Sequence, residues 1–358
     1  MRISLPCHRR QGFALLIAML AIFALAALAT TLSLSMKVET HLAVTANDDQ
    51  KMIWLARSAV ENARYGLVME TKVNQPYRSE NQWWATGEAG PNETNTVLVN
   101  YPQSWPNSLS IDWQPSSGAF TYKIIDLDRY ININTASAPL LQQVFNYFGA
   151  GADDISVASD SIQDWVQAGD SPRIAGAKNE YYQSLDPPYS CKEAPMDNIS
   201  ELMLVHGIQN GDTNPVVGFH HQLGFGNSMG QGNALTYQEL APVFTPFSSG
   251  QINVNTADLD VLAILTDGDT NAAQTIIDYR NGANNDNILD PSIKSLSQLT
   301  AAGISQQAIQ KLGPYCTVNS TVFRVDVTAS IGQDTRHFHA ILFQQGGKVD
   351  IVNFYSDD

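Results

Sequence analysis

RRQGFALLIAMLAIFALAALATTLSLSM, residues 9–36, opens on two arginines and then runs from Phe13 to Met36 without one charged side chain. As a helix rising 1.5 Å per residue, that run reaches ~36 Å, enough to cross a bilayer. Arg2, Arg9 and Arg10 precede it and no acid does, which favours a cytoplasmic N-terminus. Everything after Met36 then lies outside the cytoplasm. The apolar pattern continues beyond the uncharged block. Val38, Leu42, Thr45-Ala46, Met52-Ile53, Ala56, Ala59-Val60, Ala63 and Leu67 keep the 3–4 spacing of one helix face. Neither Pro nor Gly occurs between Phe13 and Tyr65, so one unbroken helix is expected over residues 13–70.

The chain has 358 residues, which predicts about two domains. Its formal charge is -15, with 20 basic against 35 acidic side chains. An acidic surface repels phosphate backbones, so nucleic acid is not expected as a partner. Three cysteines are too few for a small disulfide scaffold or a four-cysteine zinc site.

Two processing routes fit the N-terminus. Ala27-Leu28-Ala29 offers a signal-peptidase site after an apolar region. Alternatively, residues 1–12 resemble a prepilin leader, with cleavage between Gly12 and Phe13 by a prepilin peptidase and the apolar helix retained. The length of the span and the helical pattern beyond Ala29 favour the second route. The fifth mature residue would then be Ile17, where pilin-like subunits usually carry Glu. That carboxylate can neutralise the N-terminal amine of a neighbouring subunit, and an unpaired charge in the membrane is costly. A subunit with Ile17 has no subunit ahead of it to pair with, which suggests the tip of a filament. In a plain anchor, Ile17 is only one more apolar residue.

Residues 71–120 are rich in turn formers, among them Asn74-Gln75-Pro76, Gly90-Pro91-Asn92 and Pro115-Ser116-Ser117-Gly118. Thr121 to Ile133 alternates as a strand does and ends in Tyr130-Ile131-Asn132-Ile133-Asn134-Thr135-Ala136. The phrase returns as Gln251-Ile252-Asn253-Val254-Asn255-Thr256-Ala257. Each copy leads into apolar helical runs and ends in a short helix before Gly-Ile, at Gly207-Ile208 and Gly303-Ile304. A further echo follows each: Leu240-Ala241-Pro242 before Thr245, and Leu312-Gly313-Pro314 before Thr317. Asn-Thr-Ala before an apolar run is a helix-start signal. After residue 317 the period changes to two, with three strands separated by Gly332-Gln333-Asp334 and Gln345-Gly346-Gly347. The expected class is α+β: a long N-terminal helix with a small antiparallel sheet, interrupted by a large inserted α-helical domain holding two related units. The bounds are 1–12 for the leader, 13–70 for the helix, 71–134 and 318–358 for the two parts of the α/β body, and 135–317 for the insert.

Together these features resemble the minor pseudopilins of the bacterial type II secretion system, in the general secretion pathway protein K family. Gly12-Phe13, the missing Glu at Ile17 and the two Asn-x-Asn-Thr-Ala phrases carry the resemblance. With them go Asp164-Trp165, Tyr181-Tyr182 through Pro187-Pro188-Tyr189, and Glu201 to Val205 before Gly207-Ile208. The resemblance implies a pilin-like fold with a helical insert and no catalysis. It also implies a tip complex with the minor pseudopilins of the I and J types, contact with other pseudopilins, and N-methylation of Phe13. The place implied is the inner membrane, crossed once, with the C-terminal region in the periplasm. An alternative is a membrane-anchored periplasmic helix-hairpin-helix binding module of the DNA-uptake type. Such hairpins hold phosphate on backbone N–H groups, but Asp267 and Asp269 occupy the second turn and only Arg280 is basic nearby.

Family members bind calcium in acidic loops, and calcium takes about six to eight oxygens. The candidates here are Asp164 and Asp170 in one loop and Asn284, Asp286 and Asp290 in another. Lys178-Asn179 replaces the family's acidic pair after Gly176-Ala177, so a solvated loop is the competing expectation. Cys7 lies in the leader, which leaves Cys191 and Cys316 in an oxidising space, either bridged or as two buried thiols. His337 and His339 share a strand face with no acid close in sequence, and His220-His221 lie in a Gly-rich loop.

Overall fold

The structure, a computed structural model, describes residues 11–73, 75–86, 108–111, 118–208, 235–282 and 291–357. The residues before Gln11, His220-His221 and the calcium candidates Asn284, Asp286 and Asp290 lie outside these. Helix α1 (Gln11–Val73) is followed by the short α2 (Trp83–Thr86). Five strands form an antiparallel sheet: β1 (Ser108–Ile111) and β2 (Gly118–Asp126) before the insert, and three more after it. The insert contributes β3 (Ile131–Asn132), α3 (Ala138–Tyr147), α4 (Ala152–Val166), α5 (Asn179–Gln183), α6 (Tyr237–Leu240) and β4 (Phe244–Thr245) as its first unit. Its second unit holds β5 (Ile252–Asn253), α7 (Leu259–Leu265), α8 (Thr270–Arg280), α9 (Gln306–Leu312) and β6 (Cys316–Thr317). The last three strands are β7 (Val322–Ile331), β8 (Asp334–Gln345) and β9 (Lys348–Ser356), and the sheet order is β1-β2-β7-β8-β9.

The halves of α1 have different surroundings. From Phe13 to Val44 its large apolar side chains are exposed. Beyond that, Met52, Ala56, Ala59, Val60, Ala63 and Leu67 form a buried stripe at the spacing the sequence predicts. The stripe packs on the inward residues of β7, where Phe323, Val325, Val327, Ala329 and Ile331 alternate with partly exposed neighbours. Three alanines in the stripe bring the helix close to the sheet, so larger side chains of β2 and β7 fill the space between them. Trp84 closes one end, edge-on to Phe323 with ring centroids 5.3 Å apart.

The expected strand from Thr121 to Ile133 is not continuous. It stops at Asp126, whose side chain accepts from the Asp128 amide and caps the 3₁₀ turn Leu127–Arg129. The helical insert has its own core, which already includes Ile131 and Ile133 and extends to Cys316, so it opens a few residues before 135.

Phe323 is fully buried between sheet and helix. Phe323→Ala should cost ~3–5 kcal/mol, read by denaturant unfolding of the detergent-solubilised chain. An unchanged midpoint would mean that the α1–sheet layer contributes little to stability.

Candidate functional site

The repeated phrase has a common structural role in both units. Each first Asn turns the chain, its Oδ1 accepting from the amide two residues on: Asn134 N at 2.9 Å from Asn132, and Asn255 N at 3.0 Å from Asn253. Each second Asn makes a reciprocal pair with a distant backbone. Asn134 accepts from Met196 N at 2.7 Å and donates to Met196 O at 3.0 Å; Asn255 does the same with Ile293 at 2.8 and 2.8 Å. The echo closes each unit. Ile131-Asn132 pairs in parallel with Phe244-Thr245, and Ile252-Asn253 with Cys316-Thr317. Each unit is therefore a closed loop of chain whose first and last residues form a two-residue parallel ladder. The sequence showed the phrases and the echoes but not that they pair with each other.

Two buried carboxylates join the insert to the body. Asp126 Oδ2 accepts from Ser320 and Thr256 hydroxyls, both at 2.5 Å, and from Asn253 Nδ2 at 3.3 Å. Asp128 accepts from the amides of Ser249 at 2.6 Å, Thr321 at 2.7 Å and Val322 at 3.3 Å. The strand leaving the body, the strand returning to it and the turn between the two units thus meet at these side chains. Burial and the neighbouring Asp128 charge push the Asp126 carboxyl up to about 6, against the hydrogen bonds that favour its ionised form. The junction extends to α1. Asn253 Nδ2 also donates to Arg78 O at 3.0 Å, Arg78 N donates to Val318 O at 2.8 Å, and the Arg78 guanidinium lies 3.6 Å from buried Glu70.

The second hairpin is poorly suited to phosphate. Asp269 occupies the N-terminus of α8, accepting from Asn271 N and Ala272 N at 3.0 Å each. Asp267 pairs with Lys311. Arg280 is buried and caps the Asn-Thr-Ala turn, donating to Val254 O at 2.7 Å and Ala257 O at 2.8 Å. Arg280, the basic residue that the sequence offers for DNA at this hairpin, is thus committed to the scaffold, and Lys311, which the sequence reading did not place there, is paired with Asp267.

Gly12 and Phe13 lie in the first turn of α1, and Ile17, one turn on from Phe13, shares its face; both Phe13 and Ile17 are exposed. Asp164, near the end of α4, is buried and already engaged: Oδ2 accepts from Arg173 N at 2.9 Å and the Arg173 side chain lies 3.6 Å away. Burial pushes its carboxyl up, while the Arg173 amide and the Lys178 charge pull it back. Asp170 is exposed. Among the described residues no group of three His, Cys, Asp or Glu is arranged to hold a metal.

The Cys191–Cys316 bridge is not formed. Both are buried free thiols. Cys191 Sγ lies 3.6 Å from Asp164 O, whereas Cys316 sits in the β5–β6 ladder opposite Ile252. Burial raises both thiols, Cys316 to about 12, so neither is a ready nucleophile at neutral pH.

His339 has acidic partners that its sequence neighbourhood does not show. Nδ1 is 2.7 Å from Asp326 across the sheet and Nε2 is 2.9 Å from Asp357. His337 instead meets Thr328 Oγ1 at 3.1 Å.

Residues 121–214 match the family described as "Type II secretion system (T2SS), protein K". The type II secretion system protein K of Klebsiella pneumoniae is 22% identical over 96% of each chain. That of Aeromonas hydrophila is 24% identical over 56% of this chain and 60% of its own. Among solved structures, a chain of the GspK-GspI-GspJ complex from enterotoxigenic Escherichia coli matches with a TM-score of 0.57 at 16% identity. The match covers 88% of this chain and 98% of that one, and shares the fold.

Two outcomes test this geometry. Partial burial alone would lower the His339 pKa, but hydrogen bonds to Asp357 and Asp326 outweigh it and hold it above 6.5. Its stabilisation is then complete below that value and lost as pH rises through the higher folded pKa. His339→Gln should flatten this segment of a stability–pH profile; an equal slope in both proteins would assign it elsewhere. Thiol counting on unfolded, unreduced protein lacking the leader should find Cys191 and Cys316 both free, whereas finding none would restore the bridge.

Proposed function

We infer that this chain belongs to the type II secretion system protein K family and acts as a minor pseudopilin. The observation that carries this is the pairing of one fold with one sequence relationship. An exposed apolar helix runs unbroken into a pilin-like α/β body, the body holds a two-unit helical insert, and a protein K aligns along nearly the whole chain. We assign it no catalysis. The work proposed is mechanical: to help start the pseudopilus and cap its tip, in support of the export of folded proteins across the outer membrane.

Residues 1–12 are the proposed leader, with Phe13 the first mature residue and N-methylated. Losing three arginines and no acid takes the formal charge from -15 to -18. Phe13 to Met36 anchors the subunit in the inner membrane, with the remainder in the periplasm. Ile17 supports the tip position, because a subunit without the membrane carboxylate cannot neutralise the amine of one ahead of it. The I and J minor pseudopilins are the proposed direct partners, supported by the neighbour of like fold, which comes from a complex with GspI and GspJ. Asn284, Asp286 and Asp290 stay the candidate calcium ligands on their sequence alone, against a solvated acidic loop. The DNA-uptake alternative is disfavoured by the committed Arg280 and the acids at the second hairpin.

Expression with and without a prepilin peptidase, followed by intact mass and N-terminal sequencing, tests the reading. A methylated chain beginning at Phe13 only when the peptidase is present is expected. A start after Ala29, or an uncut chain in both cases, would exclude a pseudopilin.

A further inference from the structure

The loop that leaves α4 is held together by a cation the protein carries itself. Lys178 lies only 6% exposed, with its ammonium turned onto the end of that helix. Nζ donates to Asp164 O at 2.7 Å and to Gln167 O at 2.5 Å, and Glu193 Oε1 lies 3.8 Å away. α4 ends at Val166, so the Asp164 carbonyl belongs to its last turn, where carbonyls lack an intrahelical partner. A positive charge there also meets the negative end of the helix dipole. Around the ammonium the returning chain is tied in: Asn179 accepts from Cys191 N at 2.8 Å and its amide lies 3.3 Å from Glu193 Oε1.

These are the oxygens a divalent cation would need. Calcium requires about six to eight oxygen ligands and tolerates no ammonium among them. The nearby carboxylates face other donors. Asp164 Oδ2 accepts from Arg173 N, and Asp160 Oδ2 accepts from Ala175 N at 3.0 Å. Gly176 presses so closely on Asp164 that a Cβ there would fall 2.0 Å from its Oδ2. The donor set does not fit calcium.

We propose that the Lys178 ammonium is the structural cation of the 164–193 loop, so that this loop is ordered without metal. The proposal is independent of the secretion role and concerns how one segment of the insert is fixed. The consequence is local: chelation should leave this segment folded, whatever metal binds elsewhere in the chain.

Hydrogen exchange on the full detergent-solubilised chain, followed by peptides covering 160–195, separates the possibilities. In millimolar calcium and in chelator, wild-type exchange there should agree within about twofold. Slower exchange in calcium confined to these peptides would overturn the proposal, because a metal would then be ordering the loop. Lys178→Met keeps the stem and removes the charge; it should speed exchange here by about tenfold or more in either condition. Lys178→Arg, which keeps the charge, should recover most of the protection. Unchanged exchange in Lys178→Met would also overturn the proposal. If that variant does not fold, the wild-type comparison still decides.

Discussion

Asp126 and Asp128 are the point on which the rest of the molecule depends. An insert of this size needs its exit and its return held side by side, or the sheet that it interrupts cannot close. β2 delivers Asp126, β7 begins just after Ser320, and the two strands pair from Asp126↔Phe323 through Gly118↔Ile331. Carboxylates suit the place because one side chain can accept from several donors at once. Burying such a group is costly unless its oxygens are satisfied. Hydroxyls of Thr256 within the second unit and Ser320 just after it, with amides of Ser249, Thr321 and Val322, supply that satisfaction. The same cluster then fixes the second unit through Asn253 and Thr256, and the turn between units through Ser249.

The units extend this logic inward. A paired Asn replaces long stretches of regular structure: one side chain starts a turn, the next grips a backbone about sixty residues away in one copy and about forty in the other. Such a grip satisfies both the N–H and the C=O of the partner residue, which would otherwise be buried without a hydrogen bond. The parallel ladders then shut each unit at its own ends.

Much of this was legible in the sequence because it is periodic or repeated. The stripe from Met52 to Leu67, the alternation in β7 and the duplicated Asn phrases are local patterns, and local patterns survive the loss of three-dimensional context. The pieces that escaped depend on contacts between distant residues. Two-residue ladders are too short to alternate. Lys178 reads only as the replacement of an acidic residue and Arg280 only as a basic residue near a hairpin; that carbonyls of a helix end and of a turn bury them is set by distant contacts. Asp326 lies opposite His339 only because the β7–β8 register places it there. The two cysteines invite pairing by count and compartment, but different parts of one core hold them, one beside α4 and one in the β5–β6 ladder of the other unit.

The continuity of α1 has a mechanical meaning. At 1.5 Å per residue its 63 residues measure ~95 Å. No proline or glycine interrupts it between Phe13 and Tyr65, so no hinge is built in between the exposed apolar half and the half bonded to the sheet. A displacement or rotation imposed at the exposed apolar end is therefore delivered to the α/β head as displacement and rotation rather than absorbed as bending. The head is carried on a strut, and a shift along the axis at Phe13 becomes the same shift at Leu67.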